Sequence, residues 1–173
     1  MRKPIPATLG ALAAVALLGV GAQTAAADDQ DTPVTAEVAA GALAITAPAA
    51  LDLGSNTPGT TANASLDAVT VTDERADVLG WVTSVSISDF TGANVSGSAI
   101  PVSGFTYVPS TATTSGTVTV VAATATGAGP STVQTATGVT GVNTASWTAD
   151  VTLVIPSDAL ADEYSATLTH SVI

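Results

Sequence analysis

Cysteine is absent from the 173 residues, which excludes a disulfide framework, a thiolate zinc site, a thiol nucleophile and a lipidated N-terminal cysteine. Positive charge is scarce: three Lys and Arg stand against fourteen Asp and Glu, for a formal charge of −11. Phosphate recognition rests on clustered cations, so no nucleic-acid partner is expected. Histidine occurs once, at His170, which excludes a His-rich metal centre. The hydrophobic content of 46% is too high for a disordered acidic chain. One globular domain of ordinary size remains.

What is present begins with a targeting pattern. Arg2 and Lys3 precede an apolar run from Leu9 to Val20, and Ala25 and Ala27 fit the small-x-small rule for signal peptidase. The run is too short to cross a hydrocarbon layer of about 30 Å as a helix. Residues 1–27 therefore read as a secretory signal cleaved before Asp28. Residues 28–40 then form an N-terminal arm and residues 41–173 the domain. The mature chain keeps all fourteen carboxylates and only Arg75, a formal charge of −13. Its field repels anionic surfaces. The end, Thr167–Ile173, carries neither a hydrophobic tail nor a basic stop. The mature chain is expected to be secreted without a membrane anchor, released or held outside the cell by non-covalent contacts.

Thr, Val and Ala in short runs punctuated by Gly, Pro, Asn and Ser are strand composition. Trp147, Ala149, Val151, Leu153 and Ile155 alternate with mostly polar residues. Tyr164, Ala166, Leu168, His170 and Val172 do the same, as do Trp81, Val85 and Ile87. A period of two assigns each set to a buried face. Thr35–Ala39, Ala42–Thr46, Leu66–Thr72, Phe105–Val108 and Thr117–Thr124 are further strands, the last in a long hairpin with its tip near Gly127–Pro130. Turn signals at Asn56–Gly59, Gly92–Asn94, Gly127–Pro130 and Pro156–Asp158 complete the pattern. The expectation is an all-β fold, an immunoglobulin-like antiparallel sandwich of about eight strands. Only Ser157–Glu163 has room for a helical turn.

Catalytic chemistry finds little footing. His170 lies on the apolar phase of its strand, which suits a half-buried structural histidine better than a general base. No G-x-S-x-G elbow is present, and the acidic pairs sit beside turns. No enzyme activity and no catalytic residue are expected. Calcium is the one cofactor considered. Asp73, Glu74 and Asp77 precede one strand and Asp158, Asp162 and Glu163 another, and hard cations take several oxygens from adjoining loops. A D-x-D-x-D-G loop is lacking, and solvated acidic turns are the plainer reading. For sugars, Phe105 and Tyr107 are the aromatic pair expected to be exposed, since Trp81, Trp147 and Tyr164 fall on apolar phases. Asn63-Ala-Ser65 and Asn94-Val-Ser96 are glycosylation acceptors only in a host that modifies Asn.

The motif order carries a resemblance. Leu43-Ala-Ile-Thr-Ala-Pro48 with Leu51-Asp-Leu-Gly54 is followed by Val71-Thr-Asp73-Glu-Arg75 and Gly80-Trp81, then Val151–Pro156 and Tyr164-Ser-Ala-Thr-Leu-Thr-His170-Ser-Val172. From Ala42 onward this resembles the WxL-domain surface proteins of Gram-positive bacteria. Trp81 matches the first motif's Trp, with Thr83 where the motif has Leu. His170 and Val172 stand in place of Trp and Leu in the second motif, within the frame of Tyr164 and Leu168. The resemblance implies a β-domain attached non-covalently to the cell wall through peptidoglycan, or to other surface proteins in a complex. The alternatives are a structural subunit joined by strand addition, to which the arm Asp28–Thr35 contributes, and an extracellular carbohydrate-binding module.

Overall fold

A computed structural model describes residues 28–173; the secretory-signal reading of residues 1–27 lies outside them. The chain divides after Ala36. Residues 28–36 are exposed and have no regular structure. Glu37–Ile173 form one compact unit that carries every strand described. Thr35–Ala39, expected to be a strand, is not one. Its alternation suits a strand, but no neighbour takes its backbone groups, and a lone strand does not persist in water.

Among the described residues eleven strands are formed: β1 (Leu43–Thr46), β2 (Thr61–Asp73), β3 (Trp81–Ile87), β4 (Phe90–Gly92), β5 (Ala99–Ile100), β6 (Phe105–Pro109), β7 (Thr113–Ala122), β8 (Ala125–Thr126), β9 (Ser131–Val154), β10 (Tyr164–Ser165) and β11 (Leu168–Val172). Seven of the eight expected strands are present, and β4, β5, β8 and β10, each too short to display a period, bring the total to eleven. All pairings are antiparallel, and the strands make a nearly closed, barrel-like sandwich. Ser157–Glu163 form turns and bends rather than a helical turn.

β9 organises the sheet. Its first part pairs with β3, Trp81 lying opposite Ala136, and its second part pairs with β2, from Asn143 opposite Asp73 to Val154 opposite Thr61. Between them Gly138 and Gly141 take φ of 62° and 70°. That left-handed backbone is open to glycine, and it lets one continuous strand leave one partner and join another. Along its other edge β9 carries β7 and then β6, so the hairpin expected around Thr117–Thr124 is formed, Ala122 opposite Gln134 and Thr113 opposite Ser146. Tyr164–Val172, expected as one strand, is two: β10 pairs with β4 in a small second sheet, and β11 pairs with β3 in the main one.

The expected phases are the buried ones. Trp81, Thr83, Val85 and Ile87 of β3 are buried, as are Trp147, Ala149, Val151 and Leu153 of β9. Phe105 and Tyr107 join them at 2% and 0% exposure, which corrects the expectation of an exposed aromatic pair. The physical reason is scarcity. With six rings in the chain, the core needs each one, and burying 150–250 Å² of ring gains about 4–6 kcal/mol of transfer free energy.

Candidate functional site

Both tryptophans are buried, and a buried indole N–H needs an acceptor. Trp81 donates from Nε1 to Asn143 Oδ1 at 3.1 Å. Asn143 Nδ2 donates to Asp73 Oδ2 at 3.2 Å, and Arg75 grips the same carboxylate from Nε at 2.9 Å and from its second amino group at 3.0 Å. The guanidinium also donates to the carbonyls of Leu79 and Gly80. Asp73 is 1% exposed. The side-chain hydrogen bond from Arg75 holds its carboxyl below the usual range, against desolvation. In turn the Asp73 carboxylate raises the Arg75 guanidinium. The single arginine among the described residues is therefore committed to Asp73.

Trp147 is held differently. Its Nε1 donates to the hydroxyl of Tyr107 at 3.1 Å, and that hydroxyl lies 3.3 Å from His170 Nε2. The Tyr107 and His170 rings meet edge to face, centroids 5.6 Å apart. With His170 neutral and its proton on Nδ1, Tyr107 accepts from the indole and donates to Nε2, so the hydroxyl both accepts and donates. Burial lowers the His170 pKa and raises that of Tyr107, the latter opposed by the Trp147 hydrogen bond. No carboxylate supports His170 among the hydrogen bonds and ion pairs of the described residues.

The acidic candidates do not converge. Asp73 is committed to Arg75, Asp77 accepts the Leu79 N–H at 2.8 Å, and Glu74 is exposed. Asp162 accepts the Asn94 and Val95 N–H groups, the Asn94 side-chain amide at 2.7 Å and the Ser98 hydroxyl, and so clasps the loop between β4 and β5. Those donors, the Val95 amide first, hold its pKa well below the usual range. Asp158 and Glu163 are exposed. No three acidic or His side chains among the described residues gather as a metal site.

The positions that carried the resemblance, Trp81, Tyr164, Leu168, His170 and Val172, differ in burial. The stretches 81–83 and 170–172 lie on adjacent strands, with Thr83 directly opposite Val172. Trp81 and Thr83 face the core, Leu168, His170 and Val172 are half-buried on the inner face of β11, and Tyr164 donates its hydroxyl to the Leu160 carbonyl at 2.9 Å. Sequence reasoning missed Asn143 and Gln134, both buried on β9. Asn143 was visible as the next inward position before Ala145 and Trp147.

The open feature lies where the sheet ends. β1 and β11 terminate the main path of paired strands, β1-β2-β9-β3-β11. They approach each other without pairing. A cavity of about 540 Å³ opens there, lined by Ile45, Leu51, Phe90, Phe105, Leu168 and His170 among others. Among the described residues the edges flanking it have no strand partner. Ile173 and Val82 exchange both backbone hydrogen bonds, so by antiparallel alternation Leu168, His170 and Val172 turn theirs away from β3. Likewise Glu74 donates to Ala42, which leaves Leu43 and Ile45 with N–H and C=O groups directed away from β2. The geometry offers an apolar trough between two sets of unpaired backbone groups. No family model, curated protein or solved structure matches this chain.

Proposed function

We propose that the chain is an exported, non-enzymatic surface protein that associates non-covalently with other surface proteins, by strand addition at the seam between β1 and β11. The observation that carries this reading is the pair of unpaired edges beside an apolar cavity. Backbone pairing supplies affinity in such contacts, and the trough accepts alternate side chains. The signal pattern and the motif order shared with WxL-domain proteins support a place at the cell surface. Non-catalytic behaviour is supported by His170, whose Nε2 meets a phenol with no nucleophile or carboxylate in attendance.

A glycan partner is less well supported. Sugar stacking needs an exposed ring, whereas Trp81, Trp147, Phe90, Phe105 and Tyr107 are buried and Tyr164 is half-buried. Fractionation of the producing cells tests the proposal. The protein should be retained in the envelope fraction and co-purify with other surface proteins. Recovery solely from culture supernatant, with no retention on envelopes, overturns it.

A further inference from the structure

The two bare edges have a counterpart in the same chain. Val34 and Val38 are 88% and 86% exposed, the highest values among the large hydrophobics of the described residues. They lie four residues apart with Ala36 between, so in an extended backbone all three side chains share one face, opposite Thr35 and Glu37. Pro33 cannot donate to a ladder and bounds this segment on one side; Gly41 bounds it on the other. Val34–Val38 is thus a five-residue strand pattern without a sheet, and β11 is a five-residue strand with one free edge.

We propose that the trough between β1 and β11 is filled by Val34–Val38 of a second copy of this chain, so that the protein assembles with itself by strand addition. This rests on the preceding reading of the seam and names its occupant. Filling by the chain's own arm is disfavoured by the backbone at its root. Gly41 N–H donates to Glu74 O at 2.7 Å and Glu74 N–H to Ala42 O at 2.9 Å, so the chain enters β1 already paired to β2, and laying its own residues 34–38 along β1 would require a reversal that breaks this pairing. The other long free edge, β7, is a poor competitor. Its register shifts twice, around Gly116 and again between Thr117 and Thr119, and such bulges blunt an edge against pairing. Val34, Ala36 and Val38 would enter the apolar lining, while Glu37 and the acidic residues 28–31 stay in water.

Charge sets the conditions. Each mature copy carries a formal −13, so association works against repulsion and strengthens as salt shortens the Debye length from about 8 Å at 0.15 M to about 3 Å at 1 M.

The test is light scattering with size exclusion on the chain from Asp28, at rising protein concentration and in low and molar salt. A chain begun at Ala40 and a Val34→Asp/Val38→Asp variant run beside it, with folding checked by circular dichroism. The full mature chain should self-associate, more so at high salt. Truncation should leave a folded monomer, and the double variant should weaken association by more than about tenfold, since it asks two carboxylates to leave water. The cysteine-free chain also allows a clean pairing: Glu37→Cys and Thr169→Cys on separate copies should form a disulfide-linked dimer on mild oxidation. A monomer under all conditions, or association indifferent to the truncation, overturns the proposal. If the truncated chain is a monomer yet still co-purifies with other surface proteins, self-addition stands and the seam serves them also. If the mature chain is a monomer that co-purifies with them, self-addition fails and the proposed function survives.

Discussion

The two tryptophans solve one problem in opposite ways. Trp81 reaches, through Asn143, a carboxylate locked to a guanidinium, in a chain of polar groups that ends on the carbonyls of Leu79 and Gly80. Trp147 reaches a phenol and then an imidazole, with no formal charge anywhere, beside the open seam. The charged arrangement is densely hydrogen-bonded because an ion pair withdrawn from water must be well satisfied to be tolerated. A neutral arrangement can border an apolar cavity at smaller desolvation cost. The difference teaches where a partner fits: the Trp147 side keeps an accessible, uncharged, apolar boundary, and the Trp81 side does not.

The largest expected effect tests the charged side. Asp73→Ala strands the Arg75 guanidinium and leaves Asn143 without its strongest acceptor. Denaturant unfolding should show a loss of about 3 kcal/mol, the range seen when one member of a buried pair is removed. Adding Arg75→Ala should cost less than the two single losses together, because the residues share one network. A loss at Asp73 no greater than that at Tyr107 would break the comparison.

Next comes the neutral side. Tyr107→Phe keeps the ring and removes the hydroxyl that accepts from Trp147 and meets His170. The orphaned indole N–H should cost about 1.5 kcal/mol in the same measurement. Trp147 fluorescence should shift with it, Trp81 serving as the internal control through Trp81→Phe.

The sequence showed the phases of the long strands, because a period of two over seven or more residues leaves little choice of face: β3 and the end of β9 bury the expected residues, and the shorter β11 half-buries them. It did not show the polar interior. Asp73 and Asn143 each continue an apolar phase, after Val69 and Val71 and before Ala145 and Trp147, but a charged or amide residue beside a turn reads as solvated unless its partner is known. That partner lies 70 residues away for Asp73 and Asn143. Phe105 and Tyr107 misled for a related reason. A two-ring pattern on a short strand shows a common face without saying which face, and only the pairing of β6 with β9, Tyr107 opposite Val151, turns it inward. The open seam was least legible, since an edge is defined by the strand that fails to arrive.

The smallest expected effect is the one that separates the two networks by pH. Burial lowers the His170 pKa below the ordinary 6.5, so the unfolded chain binds the proton more readily than the native one. Stability is then fully present above about pH 6.5 and declines as the pH falls from there toward the folded pKa, below which this contribution is flat. Asp73, with its pKa lowered from 3.8, contributes stability that persists until the pH drops below that value. Unfolding midpoints between pH 5 and 7.5 should therefore fall on acidification in the native chain and stay level in His170→Gln. His170 is the only histidine, so no other side chain with an ordinary pKa titrates there. Tyr107→Phe should keep the slope, because desolvation and not the phenol sets the shift. A native chain with no slope would mean that water reaches His170 through the seam, which would leave Trp81 and Trp147 alike in their indifference to acid over that range.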